Sequence, residues 1–376
     1  MCSSDLDRLL RHLEKLGVVC QGTATESAPI HLPDIEAPEC LHIQLTNACN
    51  QKCPACYRSP DEDSLGLDLA QMIRLIDDLA SLGVCQLALG GGEPLMSPHL
   101  LPIVRHARNC GILPNITTNG SLITENLLHD LAGYVGEIRL SCQDHQMFCE
   151  AEWNSRIDKI RDSGIALGFN LIVTKSNLGS LQNILEQLAA QRPTSLVLLR
   201  PKPGLQNQEW YTQSRLDAHD CEYLENILSG LDKRQFMPCL SLDCAFSFLF
   251  SSLSKEEILQ RGVMGCAAGK RFCVVKWNGD VYPCSHLTGT GFRLGSLHDS
   301  PFTAIWTQFL QNRDSRAIKL SGKCEPCEYR ENCSGCRTIA LYEGGDISSD
   351  DPACPLFVDN KHRRRSEEGA HKRVKK

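Results

Sequence analysis

The stretch that most constrains this chain is Cys49-Asn50-Gln51-Lys52-Cys53-Pro54-Ala55-Cys56, three cysteines separated by three and then two residues, directly after the apolar run Leu41 to Leu45. Three thiolates on one short loop hold three irons of a cubane and leave the fourth open for chemistry. Zinc would need a fourth close ligand, usually Cys or His. No other Cys or His lies between Asn47 and Cys85.

A second stretch, Leu89-Gly90-Gly91-Gly92-Glu93-Pro94-Leu95, follows the apolar run Val84 to Leu89. Consecutive glycines at a strand end let a ligand approach bare backbone, and the Glu and Pro turn the chain into its next element. A Cys-x3-Cys-x2-Cys loop after one strand and Gly-Gly-Glu-Pro after the next resemble the radical S-adenosylmethionine (radical SAM) enzymes. The resemblance implies an open iron that chelates the SAM methionine, a Gly91-Gly92-Glu93 edge against its amine, and reductive cleavage to a 5'-deoxyadenosyl radical. The residue before the third cysteine is often a bulky one that packs on adenine. Here it is Ala55, and Tyr57 is expected to supply that surface.

Length and composition narrow the class. At 376 residues, two domains are the expectation. A net charge of -6 argues against a dedicated nucleic-acid binder. No run is long and apolar enough for a membrane helix, and Met1 to Gly17 is too charged for a signal peptide, so a cytoplasmic protein is expected. There the 21 cysteines would stay reduced and read as metal sites rather than disulfides. Cys85, Cys110, Cys142 and Cys221, each alone in an apolar or helical pattern, read as buried small hydrophobes.

Leu6, Leu9, Leu10, Leu13 and Leu16 form the apolar face of an N-terminal helix capped by Ser3 or Ser4 and ended by Gly17. From Leu41 onward β-rich runs alternate with helical patterns, the mark of a parallel sheet wrapped by helices. Strands are expected near Leu41 to Leu45, Val84 to Leu89, Leu113 to Thr117, Glu137 to Ser141, Ile165 to Val173, Ser195 to Arg200 and Met237 to Asp243. With the resemblance, the fold class is α/β, a partial (β/α)6 TIM-like barrel followed by a small cysteine-rich α+β iron–sulfur domain. In such a barrel the site lies at the C-terminal strand ends. Thr117-Thr118-Asn119-Gly120 and Ser141 to Asp144 stand there and resemble family stretches near the SAM ribose and carboxylate, which nominates Asn119 and Ser141. As local structure, Asn-Gly is equally a turn and Ser a cap. Asn170, Thr174 and Arg200 are further candidates, and Trp210 with Tyr211 reads as a loop cluster or a substrate contact.

Past Gly265 the apolar periodicity breaks up and cysteines cluster. Cys266 and Cys284 flank a hairpin turn at Asn278-Gly279. Cys324-x2-Cys327-x5-Cys333-x2-Cys336 and Cys354 follow, a zinc ribbon being the alternative for the four clustered cysteines. The order resembles the SPASM extension of radical SAM enzymes, which carries two auxiliary clusters. One spacing departs, with two residues rather than three between Cys333 and Cys336. The resemblance implies that Cys266, Cys284 and Cys336 hold the first auxiliary cluster, and Cys324, Cys327, Cys333 and Cys354 the second. The missing eighth ligand is Cys273, Cys244 or an open iron.

The expected organisation is an N-terminal helix and leader over 1–40, a radical SAM partial barrel over 41–250, a SPASM-type domain over 251–356 and a basic, solvated tail over 357–376. The expected function is a radical SAM/SPASM oxidoreductase with three [4Fe-4S] clusters and SAM that crosslinks or otherwise oxidises a ribosomally made peptide. A tetrapyrrole or other small metabolite is the alternative substrate, and a non-catalytic cluster- or zinc-bearing interaction protein the alternative of another class. Expected partners are a one-electron donor such as flavodoxin or ferredoxin and a separate peptide-recognition protein, since the leader is too short for a fused one.

Overall fold

The computed structural model describes residues 37–58, 66–142, 151–232, 236, 239–251, 253–260, 262–312 and 318–357. The expected N-terminal helix and basic tail lie outside them. Seven strands, β1 (Cys40–Gln44), β2 (Gln86–Gly90), β3 (Leu113–Thr118), β4 (Glu137–Cys142), β5 (Ala166–Ile172), β6 (Ser195–Leu199) and β7 (Leu240–Leu242), pair in sequence order. Every one of these pairings is parallel. Helices α1 (Leu69–Ser81), α2 (Leu100–Asn109), α3 (Glu125–Leu131), α4 (Ala151–Asp162) and α5 (Leu181–Ala190) make the crossovers of the first six. Helices α6 (Gln208–Ser214) and α7 (Ala218–Gly230) lead to β7, and α8 (Lys255–Gln260), α9 (Phe302–Gln311) and α10 (Arg337–Gly344) follow.

The strand period explains the two faces of the sheet. Leu41 and Ile43 of β1, Leu87 and Leu89 of β2, and Phe169 and Leu171 of β5 are buried on the side covered by helices, whereas His42, Ala88, Asn170 and Ile172 between them line a cavity. Helix α1 shows how the cover is made. Asp68 accepts from the Gln71 N–H at 2.7 Å while the Gln71 side chain accepts from the Asp68 N–H at 2.9 Å, a capping box contributing ~1 kcal/mol. Met72, Leu75, Ile76 and Leu79 then recur at helical spacing and are fully buried, each contributing roughly 1.5–3 kcal/mol.

The expected hairpin at Asn278-Gly279 is present as β8 (Phe272–Val275) and β9 (Asp280–Tyr282), with β10 (Gly295–Ser296) beside β9. Its arms do not make a separate sheet. β8 runs parallel to β1, with Cys40 opposite Phe272 and Ile43 opposite Val275, so the sheet order is β10-β9-β8-β1 and onward to β7. An incomplete barrel leaves the outer edge of β1 unpaired, and covering that edge satisfies its N–H and C=O groups. Two local expectations fail. The stretch after β6 contains helix α6, and of the four cysteines expected to be buried only Cys142 and Cys221 are; Cys85 is exposed and Cys110 half-buried. Cys85 precedes β2 and Cys110 follows α2, both at element ends rather than inside an apolar face.

A candidate active site between two groups of cysteines

The cysteine loop begins where β1 ends, and its course is fixed by backbone. The Gly92 N–H donates to the Thr46 carbonyl at 2.7 Å and the Glu93 N–H to the Ala48 carbonyl at 2.9 Å. A Cβ on Gly91, whose φ is +117°, would stand 2.6 Å from the Thr46 oxygen, and one on Gly92 only 1.9 Å from the Ala48 oxygen. The glycines are therefore required by the chain's own loop, which lies directly on them. Arg58 closes the loop from the far side, its Nη1 donating to the Asn47 carbonyl at 2.6 Å and Oδ1 at 3.0 Å. Asn207, after β6, donates to the Ala55 carbonyl at 3.1 Å.

Glu93 is buried and its carboxylate binds the next strand end. Oε1 accepts from Thr118 Oγ1 at 2.7 Å and the Leu95 N–H at 3.0 Å, and Oε2 from the Asn119 N–H at 3.0 Å. Asn119 in turn donates to Asn50 Oδ1 at 3.0 Å, and Asn50 to Ser121 Oγ at 2.8 Å. Glu93 and Asn119, nominated as cofactor contacts, thus form a chain of hydrogen bonds running from the glycine edge through β3 to the cysteine loop.

One cavity of about 560 Å³ collects these groups. Cys49, Cys53, Cys56, Tyr57, Gly91, Gly92, Glu93, Asn119 and Ser141 line it, as do Asn170, Arg200 and Trp210. Of the other candidates, Thr174 is buried outside this lining, with its N–H donating to Asn177. Tyr57 faces His286, ring centroids 4.5 Å apart. Burial holds the His286 imidazole neutral, its pKa pushed down to about 3, and His42 likewise at about 4. The aromatic pair after β6 splits: Trp210 faces the cavity, while Tyr211 is buried and donates to Glu343 of α10.

The far wall carries Cys244, Cys266, Cys284 and Cys336. Cys244 stands two residues after β7 and beside Cys266, a proximity that pushes the pKa of the first thiol up and draws that of the second down. Burial pushes the Cys336 thiol up to about 12. Cys273, the rival to Cys244, lies within β8 and donates to the Tyr282 carbonyl of β9 at 3.2 Å, outside the cavity lining. A second, small cavity is lined by Cys324, Cys327, Cys333 and Cys354 together. All eighteen described cysteines are free thiols, so three groups of sulfur donors remain available, a donor set that fits iron–sulfur clusters.

Residues that spacing did not reveal orient these thiols. Asp350 accepts from the Cys324 N–H at 2.8 Å and Asp351 from the Cys336 N–H at 2.7 Å. Lys202 pairs with Asp243, beside Cys244, with both side chains buried. Arg200, nominated as a site residue, is instead clamped on Asp351 and on the Ala245 carbonyl. Its position at a strand end was legible, but its partner lies in the distant C-terminal segment. Elsewhere, Asp77 of α1 meets His106 and Cys110 at the end of α2 with ligand atoms within 4.8 Å, a group accounted for by the 2.7 Å His106–Asp77 ion pair. No helix among the described residues is long and apolar enough to cross a membrane.

Two family models match the chain: the Radical SAM superfamily over residues 43–146, and SPASM, an iron-sulfur cluster-binding domain, over residues 266–337. The chain is 28% identical over 351 residues to the AdoMet-dependent heme synthase of Methanosarcina barkeri, covering 85% of this chain and 96% of that protein. It is 27% identical over 372 residues to the mycofactocin maturase of Mycobacterium tuberculosis, covering 91% of each. The crystal structure of Streptococcus suis SuiB bound to precursor peptide SuiA has the same fold, with a TM-score of 0.71, 15% identity and coverage of 94% of this chain and 88% of that one.

Proposed function

The chain belongs to the radical SAM enzymes that carry a SPASM domain, with SAM and iron–sulfur clusters as cofactors, and from that premise we propose that it oxidatively modifies a ribosomally made peptide or protein. Cys49, Cys53 and Cys56 hold the SAM-binding cluster. Cys244, Cys266, Cys284 and Cys336 hold the first auxiliary cluster, and Cys324, Cys327, Cys333 and Cys354 the second. When bound, the first cluster and SAM would supply a hydrogen-abstracting 5'-deoxyadenosyl radical, and the auxiliary clusters would supply electron acceptors. Tyr57, Gly91, Gly92, Glu93, Asn119 and Ser141 surround SAM.

The observation that carries this reading is the single cavity shared by the first cysteine loop and the Cys244–Cys266–Cys284–Cys336 wall. A substrate bound in it touches the origin of the radical and the acceptor of the electron, which suits net two-electron oxidation. The mycofactocin maturase likeness supports a peptide substrate. So does the charge of the wall. Of the five cations that line it among the described residues, Arg139, Arg200 and Lys202 are neutralised by Glu137, Asp351 and Asp243. Arg58 holds the cysteine loop, and Arg337 is buried with two of its donors unpaired among the described residues. A substrate with several carboxylates, such as a porphyrin bearing propionates, would find few free cations to hold it.

The heme synthase likeness keeps a tetrapyrrole as the second reading. One experiment separates them. The reconstituted enzyme is given SAM and dithionite with either a displayed peptide library or an iron porphyrin bearing propionates. A peptide that loses two hydrogens with stoichiometric 5'-deoxyadenosine supports the proposal, whereas turnover of the porphyrin with loss of carbon dioxide replaces it.

A further inference from the structure

Arg337 opens α10 directly after Cys336 and is only 3% exposed. Its Nη1 donates to the Ile347 and Ser349 carbonyls, both at 2.8 Å. Nε and Nη2 are buried and have no hydrogen-bond partner among the described residues. Leaving two donors of a buried guanidinium unused is costly, so an acceptor belongs there. The neighbouring carboxylate does not serve. Asp351 already accepts the Arg200 fork at 2.7 Å on each oxygen, the Cys336 N–H and the Ala353 N–H.

Cys336 is the neighbour of Arg337 in the chain. Arg337 lines the cavity wall that carries Cys266 and Cys336, and its Nη2 lies 2.9 Å from where a Cβ on Gly335 would stand, Gly335 being part of the second cavity with Cys324 and Cys333. One cation thus stands between the two groups of auxiliary-cluster cysteines. A cubane held by thiolates is anionic, and each electron it accepts makes it more so. A nearby cation and N–H···S bonds favour the reduced form and raise the reduction potential.

Resting on the cluster assignment above, we propose that Arg337 is the shared counter-charge of the two auxiliary clusters: its Nε and Nη2 donate to their sulfurs and raise their potentials, so that they accept the electron from the oxidised substrate. Arg337 itself carries neither electron nor proton. It is a positioning and tuning residue, and its signature is a potential rather than a rate.

The test is an EPR-monitored redox titration of the reconstituted holoenzyme as wild type, Arg337→Lys and Arg337→Gln, with iron counted first. The expected result is an auxiliary signal that shifts to more negative potential in Arg337→Gln and stays nearer wild type in Arg337→Lys, which keeps the charge. Because Arg337 also holds the Ile347 and Ser349 carbonyls, the Gln variant can shed iron. Wild-type enzyme with 15N-guanidinium arginine then decides, and a nitrogen hyperfine coupling on a reduced auxiliary cluster, absent in Arg337→Lys, is expected. Fully loaded Arg337→Gln at wild-type potentials, or labelled wild type without the coupling, overturns the proposal. Wild type that loads no auxiliary iron instead removes the cluster assignment, and this inference with it.

Discussion

Arg200 and Asp351, 151 residues apart in sequence, are joined by two hydrogen bonds of 2.7 Å in a buried fork-to-fork pair. Arg200 directly follows β6, the last long strand of the barrel, and Asp351 also accepts the Cys336 N–H. The pair therefore ties the barrel rim to a proposed cluster ligand. Removing one partner leaves a buried charge unmatched, which costs about 3–5 kcal/mol. Asp351→Ala should lower the denaturant midpoint accordingly and release auxiliary iron while the iron at Cys49, Cys53 and Cys56 stays. A variant as stable and as iron-loaded as wild type would show that the pair does not hold this corner.

Gly92→Ala tests the contact between the glycine edge and the cysteine loop. The added Cβ would stand 1.9 Å from the Ala48 oxygen, so the loop must move. Displacement of a reacting centre by about 1 Å costs ~100-fold in rate, and 5'-deoxyadenosine formation should fall at least that far, with SAM binding weakened and auxiliary iron unchanged. Calorimetric SAM titration beside the nucleoside assay reads both.

These two contacts mark what sequence could and could not carry. The cysteine spacings, the Gly-Gly-Glu edge, the hairpin at Asn278-Gly279 and the starts of β3, β4 and β6 are local, and each was legible because loops and turns of these kinds need particular residues at short separation. The carboxylates of Asp350 and Asp351 on the Cys324 and Cys336 N–H groups were not, since nothing in two adjacent acids states which distant N–H they accept from. Pairing of β8 with β1 escaped for the same reason: a register between strands far apart in sequence leaves no local pattern. Arg200 was found by its place at a strand end and its role missed. The helix at Gln208–Ser214 was hidden by a polar composition that also suits a loop.

Cys244 and Cys273 were indistinguishable as an eighth ligand by spacing. Cys244 lines the cavity wall with Cys266, whereas Cys273 donates to the Tyr282 carbonyl inside the hairpin. Cys244→Ser should therefore change the Mössbauer and EPR signature of one auxiliary cluster and lower iron content, and Cys273→Ser should leave both as they are. The reverse result would move the first auxiliary cluster into the hairpin.

His42 donates to or accepts from Ser285 at 2.8 Å, and burial holds its pKa down to about 4. The unfolded ring takes its proton near pH 6.5, so on acidification the unfolded chain binds protons before the folded one does. This share of stability is complete above about pH 6.5 and is lost towards pH 4, at up to ~1.4 kcal/mol per pH unit. Thermal unfolding of the wild type between pH 7 and pH 5 should show a steeper decline than that of His42→Asn. Parallel curves would mean that His42 is not a buried neutral base.

The most direct test of the central claim combines an iron count with an assay of SAM cleavage. Anaerobically reconstituted wild type should carry about twelve irons per chain, as three cubanes require, and release 5'-deoxyadenosine from SAM under dithionite. Cys53→Ala should lose the nucleoside completely and about four irons, keeping the auxiliary signals. Bound zinc in place of iron, or nucleoside formation undiminished in Cys53→Ala, would contradict the account.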